Sequence, residues 1–234
     1  MRHHSRVNLA LRLCFSAIVC LVLALPAQAA LIGLTPRVPD LFANTTGAYS
    51  YKAGTDLFSI QAIPLQYKIS LTGNNFLYIM PASTAPFLDY SVGFYVDSSG
   101  AFSKGKEGAA DMEIYGKLVD VFNIAPDLDG LEGLLLSAEV TDFGFEQSGG
   151  DSKKMTFEFT FEVEGGLLAS QFGGRGSPGG SIAFSENSDY TSWEADHTGS
   201  PTKTDNFPIP IPAAGWLFAS GLIGLAVIRR RTKR

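Results

Sequence analysis

Thiols are nearly absent from this chain. Its only cysteines in 234 residues are Cys14 and Cys20, and both lie in an apolar N-terminal stretch. If that stretch is removed, the rest of the chain can form no disulfide, thiolate metal site or cysteine nucleophile. Histidine is almost as scarce: His197 is the only one beyond residue 4. A zinc or copper centre, or a Ser-His-Asp triad, would have to be built on it, and no G-x-S-x-G elbow occurs. Residues 196–206, which contain His197, are polar and are read as a linker, without the rigid surroundings that catalysis requires. Basic side chains are also few in the body: residues 31–228 hold 10 Lys and Arg against 23 Asp and Glu, a net charge of −13. A nucleic-acid binder needs clustered cations to neutralise phosphates, so that class is excluded. A sustained helical period is missing too, since no body segment repeats apolar residues at 3.6 positions over three turns.

Both ends carry long uncharged runs. Near the start, Arg2, Arg6 and Arg12 precede Leu13–Leu25, followed by Pro26 and the small-residue pattern Ala27-Gln28-Ala29. Residues 1–29 thus read as a secretory signal peptide cleaved after Ala29, with Ala27 and Ala29 as the recognised small residues. At the other end, residues 213–228 contain no charge and are followed by Arg229, Arg230, Arg231, Lys233 and Arg234. At about 1.5 Å per helical residue, the uncharged run from Ile209 to Ile228 is just long enough for a bilayer core of about 30 Å. The basic cluster would hold the tail on the cytoplasmic side.

Between the ends, Met155, Phe157, Phe159, Phe161 and Val163 alternate with Thr156, Glu158, Thr160, Glu162 and Glu164. This is the pattern of a strand buried on one face. Tyr90, Val92, Phe94 and Val96 alternate likewise, and Asp97-Ser98-Ser99-Gly100 supplies a turn. Further strands are expected at 48–52, 56–62, 65–71, 76–80, 112–122, 134–145, 181–185 and 190–195. About ten short strands between Gly, Ser and Asp turns predict an all-β body, an antiparallel sandwich or barrel over residues 30–195. The linker at 196–206 and a C-terminal segment at 207–234 follow.

Chemistry-bearing clusters are sparse. Gly174-Arg175-Gly176-Ser177-Pro178-Gly179 matches G-x-G-x-x-G as a string, but Pro178 and the following glycines oppose the helix that a dinucleotide site needs. It reads as a flexible glycine loop extending to Gly180. Glu158, Glu162 and Glu164 would suit a glycosidase only across a cleft, and are expected as solvated outward charges. Asp127, Asp129 and Glu132 form an oxygen-rich loop beside Gly130, the one candidate for Ca²⁺. Tyr95, on the polar side of its strand, is the best aromatic platform for a sugar ring. No cofactor other than Ca²⁺ is suggested, and the body is read as non-enzymatic.

Ile209-Pro210-Ile211-Pro212-Ala213, the short Gly221-Leu222-Ile223-Gly224-Leu225 segment and Arg229-Arg230-Arg231 stand in a fixed order. Together they resemble the PEP-CTERM class of protein-sorting signals, in the variant called VPLPA-CTERM. Ile replaces both Val and Leu of that signature while the prolines and Ala213 remain. The resemblance covers residues 207–234. It implies a Gram-negative bacterium that makes extracellular polysaccharide, and an exosortase that processes the chain at the inner membrane before the body passes to the cell surface or matrix. More loosely, Ala53–Phe58, Glu139–Phe145 and Phe159–Gly166 resemble β-rich bodies found in front of such signals. The resulting expectation is a structural or adhesive matrix protein. A polysaccharide- or Ca²⁺-binding module is the alternative, and a matrix glycan hydrolase is a third reading.

Overall fold

A computed structural model describes residues 30–70, 75–148 and 153–210. Ten strands form one antiparallel sheet: β1 (Asp40–Lys52), β2 (Leu57–Lys68), β3 (Phe76–Met80), β4 (Asp89–Val96), β5 (Phe102–Gly105), β6 (Met112–Val119), β7 (Glu132–Ser148), β8 (Lys154–Gly165), β9 (Pro178–Glu186) and β10 (His197–Pro208). A 3₁₀ turn at Ala169–Phe172 is the helical element among the described residues.

The sheet closes on itself. From β1 the ladder runs through β10, β9, β8 and β7 to β6. β6 then divides its free edge: residues 112–115 pair with β4 and residues 117–119 with β3. Both of these pair with β2, and β2 pairs with β1. The all-β antiparallel expectation is therefore met, in a barrel-like form whose pairing circuit leaves few open edges.

Alternation along the strands decides which side chains enter. In β8, Met155, Phe157, Phe159, Phe161 and Val163 are all buried, as their period of two requires. Phe157 and Phe159 meet Phe58, Phe94 and Phe143 in a lattice of rings with centroids 5.0–6.1 Å apart, within the range of favourable aromatic pairing. Packing of this kind supplies what disulfides supply in many secreted domains.

Several boundaries differ from expectation. The spans 56–62 and 65–71 merge into the single strand β2, with Pro64 accommodated at a register shift opposite Ala43. Residues 190–195 form no strand; Tyr190 and Trp193 instead pack over one end of the barrel. Gly179 and Gly180, assigned to a flexible loop, belong to β9 and pair with Phe161 and Thr160. The largest correction concerns residues 196–206. They are not a linker, because residues 197–208 form β10, hydrogen-bonded to β1 on one side and β9 on the other.

Ahead of β1, residues 30–39 cross the outside of the sheet as an extended arm. The arm lies over β7, where a Cβ added to Gly144 would come 2.3 Å from the carbonyl oxygen of Ala30. On β8, the Glu158 carboxylate accepts hydrogen bonds from the Gly33 and Leu34 N–H groups at 2.6 and 3.3 Å. On β9, Leu34 reaches over Gly180. Glu158 points outward, as its place in the alternation demands, yet only 4% of it is exposed. It is therefore not the solvated charge its pattern suggests, whereas Glu162 and Glu164 on the same face are exposed.

Candidate functional site

The end of β10 is where the body joins its C-terminal segment. Phe207 pairs with Gly180 and Pro208 with Gly179. One residue further, the Ile209 N–H donates to the Pro178 carbonyl at 2.9 Å, which extends the ladder into the first position of the proline motif. Pro210 is exposed. The chain therefore leaves the body in extended form directly from a central strand. Proline fixes its own φ and disfavours helix at the residue before it, which keeps Ile209 extended as well.

Beside this exit is a cleft of about 620 Å³. Its walls come from the arm (Arg37, Pro39), the turn before β9 (Phe172, Pro178) and the exit itself (Pro208, Pro210). Behind one wall, the outer face of β1, β2 and β10 carries a compact ion cluster. Lys68 Nζ lies 3.6 Å from Asp40 and 3.9 Å from Asp205, and Lys203 pairs with Asp205. The Phe42 ring packs under both lysines, at 4.2 and 5.8 Å. Burial and then repulsion from Asp205 push Asp40 up to about 7, against the opposing pull of Lys68. On the inner face, Asn206 fastens the strand end: its side-chain amide donates to the Leu41 carbonyl at 2.8 Å and its Oδ1 accepts from Tyr90 Oη at 3.1 Å. The Asn206 backbone N–H donates to Asp40 at 2.9 Å. Side chains on both faces thus hold the strand from which the motif departs.

The other sequence-derived positions are distributed as follows. Asp127, Asp129 and Glu132 lie in the β6–β7 connection or at the start of β7, but they turn to different partners. Asp129 accepts the Asp120 N–H at 2.8 Å, while Glu132 accepts from Ser83 Oγ and faces Lys117 at 3.7 Å. Among the described residues, no three Asp, Glu, His or Cys side chains are grouped so as to hold a metal ion. Tyr95 carries the Lys104 ammonium over its ring at 5.1 Å, so one ring face is already occupied. Of the proline motif, Ile209 and Pro210 are described. Ile211, Pro212, Ala213 and the basic residues Arg229, Arg230, Arg231, Lys233 and Arg234 lie outside the described residues, as do Ala27 and Ala29. No helix among the described residues is long and apolar enough to cross a membrane; residues 213–228 are not among them.

Two features were not foreseen from the sequence. His197, assigned to a linker, is 1% exposed at the start of β10. Its ring stacks on Tyr51 at 5.1 Å and meets Tyr190 and Trp193 edge-on, each at 4.9 Å. Neither ring nitrogen has a hydrogen-bond partner among the described residues. Desolvation lowers its pKa from 6.5 to about 4, against weaker opposing pulls from Asp189 and Asp196. This is a neutral core histidine at the barrel end opposite the chain exit. Asp111 is fully buried and accepts backbone N–H groups from Lys106 at 2.5 Å and Val140 at 2.9 Å, tying the β5–β6 turn to β7. A lone Asp after two alanines gives no sequence signal for such a tie.

No family model, no curated protein and no solved structure matches this chain.

Proposed function

We propose that the protein is an exported structural or adhesive component of the bacterial cell surface or exopolysaccharide matrix. In this reading the C-terminal segment is a sorting signal recognised by an exosortase-type membrane enzyme. The body is the delivered cargo, and Ile209–Ala213 is the peptide the enzyme reads. The observation that carries the proposal is the ordered C-terminal signature: proline motif, uncharged run and terminal basic cluster. The extended exit at Ile209 and Pro210 supports it, since processing enzymes bind extended backbone and Pro210 already stands exposed beyond the last ladder bond. The basic tail fixes the depth of the motif because it does not cross the bilayer.

Mass spectrometry of the protein from its native host tests the reading. Processing should remove Arg229–Arg234, and replacing Pro210, Pro212 and Ala213 together with bulky β-branched residues should trap the full-length chain in the inner membrane. Normal shortening and export of that variant would reduce the segment to an anchor.

A further inference from the structure

We infer that the end of the barrel from which the C-terminal chain leaves is a membrane-docking surface, which rests in the interface of the phospholipid bilayer. This rests on the proposed reading of residues 213–228 as the bilayer segment. The first argument is one of reach. Ile209 is fixed to Pro178 by a backbone hydrogen bond, so only Ile211 and Pro212 separate Pro210 from Ala213, the first residue of the segment read as lying in the bilayer. Three Cα–Cα steps span at most about 10 Å of extended chain. With residues 197–208 built into the sheet, no spacer holds the body away from the lipid.

The second argument is the character of that end. Strand directions place the arm, the β6–β7 connection and the β8–β9 turn at the exit end, with the turns at 53–56, 97–101 and 187–196 at the other. Among the described residues, Val121, Phe122 and Leu167 are exposed at 63%, 50% and 45% in loops at the exit end, while the other exposed large apolar side chains, Phe87 in the β3–β4 connection and Tyr78, Met80 and Phe184 on strands, lie along the flank of the barrel. Local bonding turns two of them outward. The Asp120 carboxylate accepts the Phe122 and Ala125 N–H groups at 3.2 and 2.6 Å, closing a tight loop that turns Ile124 and Ala125 to the core and leaves Val121 and one side of Phe122 in solvent. The opposite end presents Asp56, Asp97, Glu194 and Asp196.

The third argument is the placement of the arginines. Arg37 and Arg175 are the only arginines of residues 31–228, and both stand exposed at the exit end, Arg37 on the cleft wall. Guanidinium groups pair well with phosphate oxygens. Carboxylates share this end: Asp127 and Asp129 are exposed in the same loop as Val121, and Glu164 lies 3.9 Å from Arg175. An apolar rim flanked by arginines fits a phospholipid interface, with Val121, Phe122 and Leu167 among the acyl ends and the arginines at the phosphates.

Hydrogen exchange on the exported chain, still carrying its C-terminal segment and reconstituted in phosphatidylethanolamine–phosphatidylglycerol vesicles, tests the inference. The reference is the Val121→Ser, Phe122→Ser, Leu167→Ser variant in the same vesicles. Amides in 120–125 and 166–173 should exchange roughly tenfold more slowly in the parent chain than in the variant, while 53–56 and 97–101 exchange alike in both. If these loops exchange equally while residues 213–228 are protected, the chain is anchored but the body does not dock, and the inference falls alone. If residues 213–228 are unprotected and the protein fails to float with the vesicles, the anchor reading falls and takes the inference with it. Protection that grows with protein-to-lipid ratio would assign the surface to contact between copies and overturn the bilayer assignment.

Discussion

Two buried titratable residues make the stability of this protein depend on pH in opposite directions. His197 has its pKa lowered from 6.5 to about 4 by burial among aromatic rings. Between those values the unfolded chain binds a proton that the native ring refuses, so stability falls as pH drops through this window, by on the order of 3 kcal/mol over its whole width. A His197→Phe variant keeps the ring packing and removes both unpartnered nitrogens. Its urea midpoint should change much less between pH 7 and pH 4.5 than that of the parent chain. Asp40 has the opposite sign. Raised from 3.8 to about 7 by burial and by Asp205, it keeps a proton in the native state that the unfolded chain has released. Stability is therefore lost as pH rises from about 4 to 7. Asp40→Asn keeps the acceptor for the Asn206 N–H and removes the titration. Relative to the parent, this variant should gain stability as pH rises from 4 to 7, read as diverging urea midpoints.

At the scale of elements, the arm and β10 differ from the strands that were legible in advance. β8 and β3 were visible in the sequence because each buries one apolar face, so their period of two is written in hydrophobicity. The inward positions of β10 include His197, Thr204 and Asn206, which are polar and buried at 1% exposure or less. Asn206 tolerates this because Tyr90 and Leu41 satisfy it from distant strands, and no local pattern reports such partners. The cleft and ion cluster beside the chain exit were hidden as well, because they are assembled from segments far apart in the sequence. The burial of Glu158 was equally hidden, since its covering donors lie more than 120 positions away. Charged hydrogen bonds of this kind contribute about 1.5–3 kcal/mol each. Glu158→Ala should free the arm, removing exchange protection at Gly33 and Leu34 and lowering the melting temperature by several degrees. Gly144→Val should produce the same loss of protection by filling the space beneath Ala30, while leaving the β7–β8 ladder protected. Retained protection at Gly33 in both variants would show that the arm is held by other contacts.

For the molecule as a whole, the pairing circuit sets the boundary of the folding unit. β1 pairs with both β2 and β10, so the barrel closes only when residues near 40–52 meet residues near 197–208. That contact joins opposite ends of the body, and its loop-closure entropy must be met before the contact contributes any stability. A chain ending at Asp196 would keep the apolar faces of β1 and β9 but lose the strand between them. It would expose two long edges, and with them backbone groups that invite aggregation. A chain ending at Pro210 retains every pairing of β10 and the Ile209–Pro178 bond. Residues 30–210 should therefore unfold in one cooperative transition with a β-type far-ultraviolet circular dichroism spectrum, unaffected by reductant because the segment contains no cysteine. Residues 30–196 should be non-cooperative or insoluble. Residues 30–205 test the boundary more finely, since they remove Asn206 and Phe207 and with them the ties to Tyr90, Leu41 and Asp40. This chain should melt well below the 30–210 form. If 30–196 melted as cooperatively as 30–210, β10 would be an accessory strand rather than the one that closes the barrel.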